Sequence, residues 1–247
     1  MNLTKKTILI TGGGSGIGYA TAKRLSEEGN TVIIAGRNAA KIEKAGKELG
    51  LTGIVCDVTD EVAIAALVAR IKNEFPDLSV LINNAGGALL YTLGEGAGAF
   101  DKAKTEFETN YFAPVRLTET LLPILQEQPE AAVVNITSNV SFHPLIILPT
   151  YSDTKAALHS HTVALRMTLA KDTNVKVFEV MPSLINTEGS GPIGGAENGI
   201  PPSVVADDIF NGISNNLYEI YVGDTGQQRD DYFSNPFTAV EQFNQGL

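Results

Sequence analysis

The 247-residue sequence has a single cysteine, Cys56, so no intramolecular disulfide can form and nothing points to an oxidising compartment. Cys56 ends a short apolar run and reads as a small buried hydrophobe. Basic residues are scarce. Lys and Arg number 18 against 28 Asp and Glu, a net charge of −10, which disfavours nucleic acid and anionic membrane as partners because both call for a basic surface. A local basic pocket for one phosphate is still compatible with that balance. Long apolar runs are missing too. Lys5 and Lys6 precede only "ILI" before a glycine cluster, too short for the core of a signal peptide, and no stretch nears the ~18 apolar residues of a membrane span. A cytoplasmic location is expected. Histidine is rare as well: on a helix, His159 and His161 face different ways and cannot chelate one metal. No metal site is expected. The third, His143, reads as a surface residue, with contact to a substrate as the alternative.

What is present is a soluble globular balance, 43% hydrophobic and 19% charged, in a length that suits one large α/β domain over residues 1–247. Short β-branched runs recur, each followed by a longer helical pattern. They are Thr7–Thr11, Thr31–Ala35, Thr52–Cys56, Ser79–Ile82, Ala131–Ile136, Val175–Val180 and Tyr218–Val222. Continuous rather than alternating apolarity predicts about seven parallel strands covered on both faces, a doubly wound sheet. The glycine-rich stretch Thr187–Pro202 reads as a mobile loop ended by a proline pair, with Ser203 capping the following helix.

"TGGGSGIG" (Thr11–Gly18) follows the first strand and opens a helix. A helix N-terminus offers free N–H groups, and glycines let a diphosphate approach the backbone. Gly13 and Gly18 have the separation of a nucleotide-triphosphate loop, but Tyr19 and Ala20 stand where that loop needs Lys and Ser or Thr. The dinucleotide pattern G-x-G-x-x-G is not met literally either. The turn reads T-G-x-x-x-G-x-G.

That pattern resembles the short-chain dehydrogenase/reductase family, and further motifs follow in the same order. "NNAG" (Asn83–Gly86) follows the fourth strand, Asn110 lies in the next helix, Ser138 follows the fifth strand, and "YSDTK" (Tyr151–Lys155) begins thirteen positions after Ser138. Thr187 follows the sixth strand. The resemblance covers essentially the whole chain, and "PEAAVVNITS", "TKAALHS" and "PSLINTE" resemble one bacterial branch, oxidoreductases associated with the D-alanyl-lipoteichoic-acid operon.

The resemblance implies a Rossmann-type fold and hydride transfer between a nicotinamide dinucleotide and a small carbonyl or alcohol, in a homodimer or homotetramer assembled through the helices of Asn110 and Tyr151. It implies a catalytic set of Asn110, Ser138, Tyr151 and Lys155. Tyr151 would be the proton donor, and a free tyrosine near pKa ~10 needs a cation to work at neutral pH. Lys155, one helical turn on, is that cation and also a ligand of the cofactor ribose. Ser138 would hold the substrate oxygen; Ser141 is its rival. Pro114 has no N–H and displaces the carbonyl four residues back, which on a helix is that of Asn110. The freed carbonyl could hold a water that relays protons to Lys155, or the proline could simply kink the helix.

For the cofactor, the resemblance implies Thr11, Gly12, Ser15, Gly16, Ile17 and Gly18 at the diphosphate, and Asp57 and Val58 at the adenine. Asn84, Ala85 and Gly86 fall at the ribose, and Pro182, Ile185 and Thr187 near the nicotinamide. Asp57 reads alternatively as a helix N-cap. This chain has Pro182–Ser183 where the family commonly has Pro-Gly. At the end of the second strand, "AGRN" puts Gly36 where an NAD-preferring protein carries an acidic residue, and Arg37 beside it. Arg37 can clamp a 2′-phosphate or point to solvent, so NADP(H) is expected ahead of NAD(H). Two other readings share these features: a nucleotide-sugar epimerase or dehydratase, and a dinucleotide-binding sensor or scaffold without turnover.

Overall fold

Each predicted apolar run is a strand in the computed structural model, which describes residues 1–246. The strands are β1 (Thr7–Thr11), β2 (Thr31–Gly36), β3 (Thr52–Val55), β4 (Leu78–Asn83), β5 (Ala131–Ile136), β6 (Val175–Pro182) and β7 (Glu219–Val222). They form one sheet in the order β3-β2-β1-β4-β5-β6-β7, with every pairing parallel. Side-chain parity explains the uninterrupted apolarity. Ile8 and Ile10 enter one core with Val32, Ile34, Val80 and Val134, while Leu9 enters the other with Ile33, Leu81 and Val133.

Helices α1 (Gly16–Glu27), α2 (Ala39–Leu49) and α8 (Pro202–Ser214) supply Leu25, Ile42 and Ile209 to the first core. Helices α3 (Glu61–Glu74), α5 (Ala113–Gln126) and α6 (Pro149–Asp172) supply Leu67, Leu121 and Leu169 to the second. The remaining helices are α4 (Ala99–Phe107), α7 (Gly195–Asn198), α9 (Thr225–Ser234) and α10 (Pro236–Phe243). The strand order reverses between β1 and β4. The carboxyl ends of these two strands therefore open the crevice where doubly wound sheets bind ligands.

Two local expectations are corrected. The segment after Thr187 is a 3-10 turn, Glu188–Ile193, followed by α7, fastened by reciprocal bonds between Thr187 and Ser190. Ser203 does not cap α8: the helix starts at Pro202, with Pro201 in the cap position and no side-chain cap. Proline has its φ preset and no N–H to satisfy, so it opens the helix itself. Among the described residues no helix is long and apolar enough to cross a membrane, and no cluster of three metal-ligating side chains occurs.

Candidate active site

The glycine turn is built by close approach. Gly12 has φ +67°, and a Cβ there would lie 2.9 Å from Asn84 Nδ2; a Cβ on Gly18 would lie 2.4 Å from the carbonyl oxygen of Gly12. Thr11 ties the two strand ends, its Oγ1 accepting from the backbone N–H groups of Asn84 and Ala85 at 3.0 Å each. Asn84 Nδ2 in turn donates to the Thr11 carbonyl at 2.8 Å. Ser15 occupies the N-cap position of α1 without a capping side-chain bond, and Ile17 follows in its first turn. The glycines let the turn pack tightly against the β4 end, and the free N–H groups at the start of α1 fit a dinucleotide diphosphate.

At the adenosine end, Arg37 is exposed and Val58 buried. Asp57 accepts from the backbone and hydroxyl of Thr59 at 2.9 and 2.8 Å. The backbone bond from Thr59 and the charge of Arg37 hold its carboxyl below the usual range, against the opposing effect of burial. The helix N-cap is Asp60 rather than Asp57, accepting from Val62 N at 2.8 Å. Lys41, unremarked in the sequence, stands over the turn: a Cβ on Gly14 would lie 3.2 Å from its own Cβ. Its ammonium pairs with Glu188 of the post-β6 segment at 2.5 Å. Thr187 sits beside Gly16, and Pro182 and Ile185 are buried beneath.

The helix carrying Asn110 relaxes into a π turn, Glu108–Phe112, whose end bonds Ala113 N to the Glu108 carbonyl. The extra residue absorbs the disruption expected of Pro114, in place of a simple kink. Asn110 exchanges two bonds with the Gly87 backbone, at 2.9 and 2.8 Å, and donates to Thr154 Oγ1 at 3.1 Å. A Cβ on Gly86 would lie 3.2 Å from Asn110 Oδ1 and 3.8 Å from Lys155 Nζ. Gly86 thus marks the space around which these side chains meet.

Ser138 follows β5 in extended backbone, its hydroxyl donating to Asn139 Oδ1 at 2.9 Å. Tyr151 and Lys155 lie one turn apart on α6. Lys155 is buried, donates to the Ile136 carbonyl at 2.8 Å, and holds its Nζ 5.5 Å from the centre of the Tyr151 ring. Desolvation pushes Tyr151 up to about 12, while the Ser138 hydroxyl draws it down and Glu106 adds to the rise. Desolvation pushes Lys155 down to about 8, opposed by the charge of Glu179. The structure therefore brings together all four residues of the expected set, while Ser141 turns away to donate to the Lys155 carbonyl at 3.1 Å.

Other site neighbours escaped sequence reading. Glu106 is buried behind Tyr151, accepting from Leu89 N at 2.8 Å and from Thr150. His143 is the clearest correction: only 2% exposed, it is covered by Tyr232 of α9 and Phe243 of α10, ring centroids 5.2 and 5.3 Å away. These helices lie nearly a hundred residues on, and no local pattern announces the contact. Cys56 is buried as expected, its thiol pushed up to about 11 by desolvation.

A profile described as short chain dehydrogenase matches residues 6–198. An uncharacterized oxidoreductase, DltE, of Bacillus subtilis (strain 168) is 43% identical over 188 residues, covering 76% of this chain and 74% of that one. A serine 3-dehydrogenase of Agrobacterium fabrum is 37% identical over 217 residues, 84% and 86% of the two chains. A crystal structure of a short chain dehydrogenase from Burkholderia cenocepacia J2315 in complex with NADP aligns with TM-score 0.86 and 23% identity, covering both chains fully. One from Burkholderia phymatum in complex with NAD aligns with TM-score 0.87 and 19% identity over 95% and 96%. At those identities the two structures bear on the fold.

Proposed function

This chain belongs to the short-chain dehydrogenase family, and we propose that it transfers hydride reversibly between a nicotinamide dinucleotide, NADP(H) ahead of NAD(H), and a small carbonyl or alcohol. The observation that carries this reading is the arrangement of Tyr151 and Lys155 on one face of α6, with the Ser138 hydroxyl acting on Tyr151 and Gly86 leaving space beside Lys155 and Asn110.

When bound, the nicotinamide supplies the hydride or takes it back. Everything else falls to the chain. Thr11, Gly12, Ser15, Gly16, Ile17 and Gly18 receive the diphosphate, and Asn84, Ala85 and Gly86 the adenosine side. Val58 and Asp57 bind the adenine, and Pro182, Ile185 and Thr187 flank the nicotinamide. Arg37 clamps a 2′-phosphate that no carboxylate at Gly36 repels. Ser138 fixes the substrate oxygen, and Tyr151 gives it a proton during reduction or removes one during oxidation. Left to desolvation alone, Tyr151 would be a poor base. The Lys155 ammonium stabilises its phenolate and donates to the cofactor ribose. The backbone carbonyl of Asn110, facing a proline that cannot donate, offers a water site through which protons reach Lys155. Phe112, Val163 and Met167 expose apolar surface on the helices expected to join copies of the chain.

Tyr151→Phe tests the assignment. It should keep the fold and NADPH binding while lowering kcat by about 10²–10⁴ against whichever aldehyde, ketone or quinone the wild type reduces. A variant keeping more than a tenth of wild-type turnover, with chemistry rate-limiting, rejects it.

A further inference from the structure

The face of α6 that carries Tyr151 and Lys155 continues one turn further to His159, and opposite it on β6 lies Glu179, fully buried. His159 Nδ1 sits 3.0 Å from both carboxylate oxygens of Glu179. Thr137, beside Ser138, donates its hydroxyl to the same carboxylate at 2.7 Å. In the β5–β6 register Glu179 faces Asn135, one residue before the Ile136 whose carbonyl receives Lys155 Nζ. The carboxylate is thus fixed from two sides on the strand next to the one whose Ile136 carbonyl receives the lysine. A buried ammonium needs a counter-charge, because burial penalises its charged form and solvent cannot screen it.

We propose that Glu179 is the buried counter-charge of Lys155: a positioning residue, held by His159 and Thr137, that keeps the lysine an ammonium for its work on Tyr151 and the cofactor ribose. The proposal rests on the role given to Lys155 above. The surrounding charges agree with it. The charge of Glu179 favours the protonated form of Lys155, whereas the charge of Glu106 favours the protonated form of Tyr151. His159 also feels Glu219 of β7 and Arg166 of α6 and meets the Phe142 ring edge-on. Glu219 itself is engaged by Tyr221 at 2.6 Å and by Arg166.

The test needs no substrate. NADPH affinity, followed by its fluorescence across pH 6.5–9.5, should weaken in the wild type as Lys155 loses its proton. Glu179→Gln keeps the shape and removes the charge, so the midpoint of that alkaline loss should fall by roughly 1 pH unit or more. His159→Gln keeps the carboxylate and should leave the midpoint in place or higher, even if its melting temperature drops. If Glu179→Gln does not fold, Glu179→Asp draws the charge back by one methylene and should give a smaller fall. A midpoint unmoved in the Glu179 variants, one that His159→Gln lowers equally, or a flat wild-type profile overturns the proposal. Absence of wild-type NADPH binding would instead strike at the cofactor reading itself.

Discussion

The two rims of the crevice are built on opposite principles. On the β1 side the glycine turn is made of backbone packed against backbone, and an added methyl at Gly18 would overlap the Gly12 carbonyl. On the β4 side, the segment from Gly87 to Gly98 is open. Leu90 and Leu93 are exposed, and a Cβ on Gly94 would meet nothing within 4 Å. The first rim has one shape available, so it suits a constant ligand. The second leaves its shape to side chains and loop conformation, as expected where substrate choice is made.

A pair of glycine substitutions breaks this contrast most severely. Gly18→Ala should lower NADPH affinity at least about hundredfold and depress the melting temperature, since the clash is with backbone that cannot give way. Gly94→Ala should leave both nearly unchanged. Equal effects in binding and calorimetry would erase the distinction between the rims.

Next in size is the 2′-phosphate. Arg37→Ala should cost NADPH about tenfold or more in kcat/KM and leave NADH nearly untouched, as expected for one charge-assisted contact. Equal wild-type use of both cofactors would defeat the assignment. A smaller effect is expected from the Lys41–Glu188 pair that spans the turn. Glu188→Gln frees Lys41 and should tighten NADPH binding, while Lys41→Ala should loosen it, each by about two- to fivefold. Titration of NADPH and NADH against both variants checks the sign.

The smallest effect concerns stability. The hydrogen bond to Glu179 raises His159 above its ordinary value of 6.5. Its contribution is therefore fully present below that value and lost as pH rises through the raised folded one. The melting advantage of wild type over His159→Gln should shrink over that window and not grow.

The same contrast marks what the sequence could tell. Strands and the glycine turn were legible because their signals are local: apolar runs for a sheet covered on both faces, and glycines where any Cβ collides. Asn110, Ser138, Tyr151 and Lys155 stand in the sequence as a spaced pattern, and the approach of Asn110 and Lys155 to Gly86 follows from the crossovers of the sheet. The rest depended on contacts far apart in the chain. His143 was read as a surface residue because Tyr232 and Phe243 come so much later. Lys41 and Glu188 stand 147 residues apart, and Glu179 meets His159 only because β6 packs beneath α6. Ser203 misled for a local reason, since a proline can start a helix without a capping side chain.

The most direct test of hydride transfer uses NADPH carrying deuterium at both C4 positions of the nicotinamide, offered to the wild-type protein with a panel of aldehydes and ketones. Deuterium should appear on the carbinol carbon of an alcohol product, with Tyr151→Phe forming it at least about a hundredfold more slowly. Tight NADPH binding with no deuterated product across the whole panel would contradict the account and identify a protein that holds the dinucleotide without turning it over.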